Sequence, residues 1–178
     1  MLPSIKRILY ATDLSESARR ALRYAVSMAR CHGADLTIIH VVPDLLETMS
    51  EDAGFDLHEA MDEQAWRDLN SRGKTRALET ARGRVREMAA ECATDDPACP
   101  VARADIRIEQ GDAAARILDE IATGRHDMVV MGAHGRGEIM DMLFGSVARK
   151  VVRRSPVPVL TVRLPENSDQ CSESVEKQ

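Results

Sequence analysis

Five short apolar or alternating segments are separated by longer segments in which apolar residues recur every three or four positions. The strand-like segments are residues 8–11, 36–42, 104–109, 128–131 and 157–162. The helix-like segments between them are residues 15–33, 59–92, 111–124 and 146–154. The period of about two or a continuous apolar run indicates a strand, whereas the period of 3.6 indicates a helix. Strands that alternate with helices predict an α/β fold with one parallel sheet and helices on both faces.

The composition of the five strands predicts their order in the sheet. Residues 8–11 and 128–131 are apolar throughout, and residues 36–42 are apolar apart from Thr37 and His40, which is typical of strands covered on both faces. Residues 104–109 alternate between apolar and charged side chains, and the fifth strand contains Pro158, which has no N–H to donate; both are therefore predicted at the edges. Right-handed crossovers then favour the order 3-2-1-4-5 of a Rossmann-like sheet.

This strand order also predicts where a ligand binds. The direction of winding reverses between strands one and four, and open α/β sheets bind ligands beyond the carboxyl ends of the strands at such a point. Ala11, Thr12 and Asp13 follow strand one there, and the glycine-rich segment that starts at Gly132 follows strand four. A site at this edge is thus expected from topology alone, although an acid at the start of a helix also fits a simple interaction with the helix dipole.

The glycine-rich segment has the spacing Gly132-x2-Gly135-x9-Gly145-Ser146. Its glycines after the strand permit positive φ and let a ligand approach closely, and Gly145 and Ser146 open a helix whose free amides attract anions. Ser146 can donate to a phosphate oxygen or help to hold a metal, and His134 and Arg136 can add a hydrogen bond or a charge. The segment is neither a Walker A loop nor a dinucleotide fingerprint. On spacing alone, a tight strand–loop–helix junction with no ligand is an equal alternative.

Composition excludes several classes of ligand and location. The chain has 178 residues and a net charge of −5, so a general affinity for nucleic acid is not expected. It contains two Phe, two Tyr and one Trp, which leaves few rings for base stacking, so a bound adenine is expected to contact aliphatic walls and main-chain groups. No apolar run reaches the roughly 20 residues that span a bilayer, and no signal peptide is recognised, so a cytoplasmic protein is expected.

Three segments carry a resemblance to a known family. They are KRILYATDLSESARRAL, LTIIHVV and VVMGAHGRGEIMDMLFGSVARKVVRRSPVPVLTVR. With them the chain resembles the universal stress protein family over about residues 4–163, and the glycine spacing matches that family's ATP-binding pattern without a gap. The resemblance implies an adenine nucleotide alpha hydrolase-like fold, ATP with Mg²⁺ or Mn²⁺ as ligand, and a homodimer formed through the fifth strand, from Val157 to Val162.

The resemblance also assigns site residues by position. Asp13 matches an acid that contacts the ribose and adenine region, with Thr12 in the turn beside it, and Val41 matches a position whose backbone recognises adenine. The complete predicted cofactor-binding set is Ala11, Thr12, Asp13, Val41, Gly132, Ala133, His134, Gly135, Arg136, Gly145, Ser146 and Val147. No catalytic or metal-ligating residue is assigned.

The function predicted from this combination is an ATP-binding module for stress response or signalling. The alternatives are a slow ATP hydrolase or phosphotransferase that uses His134 or Asp13, and a partner-binding dimer whose glycine loop is empty. No P-loop lysine and no water-activating base are recognised, so efficient ATP hydrolysis is not expected.

Several features lie outside the family resemblance. The acidic residues 43–58 are interpreted as an exposed insertion, with a flap over the nucleotide as the alternative, and residues 1–164 are expected to form one domain followed by a polar tail, 165–178. The four cysteines are expected to be free thiols, with a Cys92–Cys99 disulfide as the less favoured alternative. His40 is interpreted as a packed core histidine.

Overall fold

The structure of this protein, a computed structural model, describes residues 3–44, 63–93, 98–135 and 144–164. Within these ranges five parallel strands form one sheet in the order β3-β2-β1-β4-β5, which confirms the predicted order. The strands are β1 (Arg7–Thr12), β2 (Asp35–Val42), β3 (Asp105–Gln110), β4 (Met128–Gly132) and β5 (Val159–Val162). The helices are α1 (Glu16–His32), α2 (Glu63–Ala93), α3 (Ala113–Ala122) and α4 (Ser146–Arg154), with a short 3-10 helix at Pro100–Arg103.

Two apolar cores lie on opposite faces of the sheet, as the predicted architecture requires. Ile8 and Tyr10 of β1 pack with α1 and α2, whereas Leu9 and Ala11 pack with α3 and α4. Successive side chains of a strand point to opposite faces, so a central strand that is covered on both faces must be apolar at every position. This is why the uninterrupted apolar run of β1 correctly predicted a central position.

The helix ends follow from individual capping residues. The Ser15 hydroxyl accepts a 3.2 Å hydrogen bond from the Ala18 amide at the start of α1, and Gly33 ends this helix with a left-handed φ of 61°. At α3, a carboxylate oxygen of Asp112 accepts a 2.8 Å hydrogen bond from the amide of Ala115. Each cap provides a partner that the terminal backbone groups lack within the helix, so both predicted starts are confirmed.

The fifth strand is shorter than predicted, because β5 begins at Val159 and not at Val157. The Ser155 hydroxyl accepts a hydrogen bond from the amide of Val157 and donates one to its carbonyl oxygen, which holds a turn before the strand. The predicted loop 94–100 likewise ends earlier, since Pro100 begins the 3-10 helix.

Some predictions fall on residues that the structure does not describe. Residues 59–62 of the predicted long helix, residues 45–58 of the acidic segment, and the tail 165–178 with Cys171 lie outside the described residues. Cys31, Cys92 and Cys99 are free thiols, as expected. No helix in the described ranges is long and apolar enough to cross a membrane.

Candidate functional site

A crevice of about 100 Å³ lies at the carboxyl ends of the neighbouring strands β1 and β4, where the winding of the sheet reverses. Its position agrees with the prediction made from strand order. Ten of the twelve predicted site residues line it: Ala11, Thr12, Asp13, Val41, Gly132, Ala133, His134, Gly135, Gly145 and Val147.

The two remaining predicted residues do not line this crevice in the described part of the chain. Ser146 is exposed and is the first residue of α4, directly between the lining residues Gly145 and Val147. Arg136 lies outside the described residues.

Six lining residues were not assigned from the sequence: Ala18, Ile39, Ala113, Ile117, Met131 and Ala148. One signal in the sequence could have found Ile39, because it lies two positions before Val41 on the same face of β2. Met131 forms part of the wall. Among the described lining residues there is no Phe, Tyr or Trp, in agreement with aliphatic walls for a base.

The start of α4 lacks the side-chain cap found at α1 and α3. Its N-cap is Gly145, with φ −66° and ψ 166°, and this residue makes no side-chain hydrogen bond to the helix. A glycine offers no acceptor for the first-turn amides, and these amides carry the positive end of the helix dipole. Because Gly145, Val147 and Ala148 line the crevice, this helix start borders the space in which an anion would be held.

Gly132 is required for packing and not for an unusual backbone conformation. A Cβ at this position would lie 2.7 Å from Ser17 Oγ and 3.1 Å from the amide nitrogen of Ala18. The start of α1 therefore packs directly against the end of β4. Neither Gly132 nor Gly145 adopts a positive φ.

Asp13 lies in a tight turn after β1. The Leu14 amide donates a 3.0 Å hydrogen bond to Thr12 Oγ1, and the Ser15 amide donates one of 3.0 Å to Asp13 Oδ1. Leu14 has a φ of 65°, a left-handed conformation that is uncommon for a residue other than glycine. Asp13 thus supports the start of α1 and at the same time borders the crevice, and its contact with a ligand stays a prediction.

Val41 directs a backbone carbonyl past the end of β1. Strand β2 pairs with β3 as far as Val42, but its pairing with β1 ends at His40 and Thr12. The Asp35 amide donates to the Lys6 carbonyl on the β1 side, and backbone groups of a strand face the same neighbour at every second residue. The carbonyl of Val41 therefore points toward the side of the sheet on which β1 lies, beyond the last residue of β1 that pairs with β2.

His40 is only half-buried, so its interpretation as a core histidine is correct only in part. Its Nδ1 lies 2.7 Å from the carbonyl oxygen of Thr12, which ties β2 to the turn that carries Asp13. His134 is half-buried in the crevice wall. Within the described ranges, no group of three or more His, Cys, Asp or Glu residues is arranged to hold a metal ion.

Comparison with known proteins identifies the family. The sequence profile described as "Universal stress protein family" matches residues 4–163. The chain belongs to this family. A universal stress protein of Thermus aquaticus, named for its place in the QAH/OAS sulfhydrylase 3' region, is 34% identical over 158 residues, which cover 89% of this chain and 98% of the relative.

Solved universal stress proteins share the fold. The universal stress protein UspA from Lactobacillus plantarum superposes with a TM-score of 0.69 at 24% identity, over 91% of this chain and all of that chain (100%). A universal stress protein solved in complex with cAMP superposes with a TM-score of 0.56 at 20% identity, over 90% of this chain and 98% of that one.

Proposed function

We propose that this universal stress protein binds ATP in the crevice and acts as a binding module in stress response or signalling in the cytoplasm. The observation that carries the proposal is the start of α4, where Gly145 provides no cap and borders the crevice together with Val147. A phosphate chain is an anionic acceptor for such amides. The cAMP complex of a protein with the same fold supports an adenine nucleotide as the class of ligand.

In the proposed arrangement, the adenine lies at the β2 end of the crevice and the phosphates at the α4 end. The exocyclic amine of adenine donates to the carbonyl of Val41, and the ribose lies beside Asp13. The phosphates accept hydrogen bonds at Gly135 and Ser146 and lie against Gly145, whose own amide donates to the carbonyl oxygen of Ala133. The other proposed contacts are Ala11, Thr12, Gly132, Ala133, His134, Arg136 and Val147.

The proposed metal is one that arrives with the nucleotide. Mg²⁺ takes a few ligands from substrate phosphates and keeps several waters, so it does not need a cage of protein carboxylates. We therefore place Mg²⁺ or Mn²⁺ on the phosphates and assign it no ligand in the described part of the chain.

We further propose that the protein is a homodimer in which two β5 edges, Val157 to Val162, pair. Val129 donates to the Pro158 carbonyl and Ala133 donates to the Val162 carbonyl, so alternate residues of β5 face β4. The backbone groups of Val159 and Thr161 consequently face the open edge of the sheet. An edge of this kind is a template for a second strand.

A second candidate function is slow ATP hydrolysis, favoured by the position of His134 in the crevice wall. Asp13 is a weaker candidate base, because its Oδ1 already accepts the amide of Ser15. Phosphate release from ATP and magnesium separates the two functions. Turnover above about 1 s⁻¹, within the ordinary enzyme range, contradicts a pure binding module.

The test of ATP binding uses the protein as purified. Denaturation followed by chromatography of the supernatant should release an adenine nucleotide. Added ATP at about 100 times Kd should raise Tm by about 5–10 °C. At this concentration, a ligand that binds only the folded state increases the free energy of unfolding by about 2.7 kcal/mol. No released nucleotide together with no shift in Tm would show that the proposed function is wrong.

A further inference from the structure

A second, larger cavity adjoins the crevice on the side of Val41. We call it the base-side groove; its volume is about 610 Å³, against about 100 Å³ for the crevice. Asp13, Val41 and Ala113 line both cavities, so the two spaces adjoin at these residues. A ligand whose base lies at Val41 is therefore next to the groove.

The groove combines an apolar floor with two cationic side chains. Val42 and Pro43 line it from the end of β2, and Ala77 lines it from α2. Arg76 and Arg84 line it from the same helix. They are separated by eight residues, so they lie on one face of α2 with their Cα atoms about 12 Å apart.

Among the described residues, no anionic side chain is paired with either arginine. Both are exposed, and neither forms an ion pair or hydrogen bond with another residue in the described ranges. Asp13 is the one carboxylate among the groove's described lining residues, and its Oδ1 accepts the Ser15 amide. Guanidinium groups bind carboxylate and phosphate in a bidentate manner, so the groove fits a compact organic group that carries negative charge.

The orientation of the adenine base in the crevice determines which of its atoms reaches the groove. This step rests on the proposed function, in which adenine donates from its exocyclic N6 amine to the Val41 carbonyl. That amine is the hydrogen-bond donor on the edge of adenine. An N6 amine with one substituent keeps one N–H for Val41, and its substituent continues past Val41 toward Val42 and Pro43.

We infer that the base-side groove is an anion subsite that selects adenine nucleotides with an acidic substituent on N6. Arg76 and Arg84 provide the selectivity, and the apolar floor holds the carbon skeleton of the substituent. Unmodified adenine nucleotides bind in the crevice alone and leave the arginines in solvent. The phosphates do not compete for these arginines, since they lie at the opposite end of the crevice, beside Gly145.

The test measures the affinities of the full chain for three nucleotides by calorimetry. The ligands are AMP, N6-(1,2-dicarboxyethyl)-AMP, and the uncharged analogue N6-ethyl-AMP. The wild type should bind the dicarboxyethyl nucleotide at least about tenfold more tightly than AMP, and N6-ethyl-AMP about as tightly as AMP. The preference should disappear in the double variant Arg76→Ala/Arg84→Ala, while its affinity for AMP stays unchanged.

A charge-matched control distinguishes the effect of the groove arginines from the effect of the overall positive charge of α2. Arg82 and Arg86 are exposed on the same helix and do not line the groove, so Arg82→Ala/Arg86→Ala should keep the full preference. Equal affinities of the wild type for AMP and the dicarboxyethyl nucleotide overturn the inference, as does a preference that survives Arg76→Ala/Arg84→Ala.

The inference and the proposed function fail in different ways. If AMP, ATP and the modified nucleotides all fail to bind, the crevice is not a nucleotide site and both are wrong. If AMP or ATP binds and the acidic substituent adds no affinity, the proposed function stands and only the inference is wrong.

Discussion

The backbone amide of Gly145 donates a 2.8 Å hydrogen bond to the carbonyl oxygen of Ala133. This bond joins the start of α4 to the residue that follows β4, and the Ala133 amide in turn donates to the Val162 carbonyl of β5. The two ends of the glycine pattern are thus held together by the sheet. A site arranged in this way before the ligand arrives loses less conformational entropy on binding.

Replacement of Gly132 by alanine should destabilise the fold. The new Cβ would lie 2.7 Å from Ser17 Oγ and 3.1 Å from the backbone nitrogen of Ala18, and the second contact cannot be relieved by a side-chain rotation. Overpacking of this kind costs about 1–3 kcal/mol. Urea unfolding of Gly132→Ala measures the loss.

Gly83 in α2 supplies the matched control. A Cβ there would meet nothing within 4 Å, so Gly83→Ala should leave the packing unchanged and stabilise the helix by up to about 1 kcal/mol. A Gly132→Ala variant as stable as the wild type would contradict the close packing of α1 against β4.

Removal of the Thr12 hydroxyl should loosen the turn that carries Asp13. Thr12 is buried, and its Oγ1 accepts the amide of Leu14. Thr12→Val keeps the shape but leaves this amide without its acceptor, at a cost of about 1–3 kcal/mol, whereas Thr12→Ser keeps the acceptor. Thermal unfolding should therefore rank the serine variant well above the valine variant, and equal melting temperatures would argue against the role of this hydrogen bond.

Asp112 should make the stability of the protein depend on pH in the acidic range. Its pKa is lowered, chiefly because the carboxylate accepts the amide of Ala115. Its stabilising contribution is complete above the unfolded pKa of about 3.9 and is lost as pH falls through the lower folded pKa. Asp112→Asn keeps a good N-cap that does not titrate, whereas Asp112→Ala should cost about 1 kcal/mol at pH 7.

Urea unfolding at pH 7 and pH 3 tests this cap. The wild type should lose stability relative to Asp112→Asn on going to the lower pH. A difference between these two proteins that stays constant with pH would show that the cap does not depend on the carboxylate charge.

The proposed dimer can be tested by a single backbone change. Thr161 directs its amide to the open edge of β5, so Thr161→Pro removes one donor from the edge and none from the pairing with β4. Sedimentation equilibrium should show a monomer for Thr161→Pro and a dimer for Thr161→Val, which keeps the N–H. A wild-type monomer would contradict the proposed association.

The sheet and the location of the site could be predicted because they depend on local composition. An apolar residue at every position of 8–11 and 128–131 indicated central strands, and Pro158 indicated an edge. Strand order then placed Asp13 and Gly132 at one end of the sheet. The position of each strand in the sheet was inferred from the residues of its own short segment.

The remaining features depend on contacts between distant segments. The requirement for glycine at position 132 comes from Ser17 and Ala18, which are remote in the sequence, so the glycine spacing alone could not indicate it. The burial of His126, whose Nε2 lies 2.7 Å from Oε1 of Glu120, was missed because the histidine stands at the end of a polar segment. No site role was assigned to Arg84 from the sequence, since the groove that it lines exists only after α2 packs beside β2.

The most direct test of the account is calorimetric titration of the wild type and Gly135→Val with ATP and magnesium. The wild type should show saturable binding, and Gly135→Val should lose at least about tenfold in affinity with an unchanged melting temperature, because a branched side chain would fill the phosphate end of the crevice. No saturable binding by the wild type, or unchanged affinity in the folded variant, would contradict ATP binding at this site.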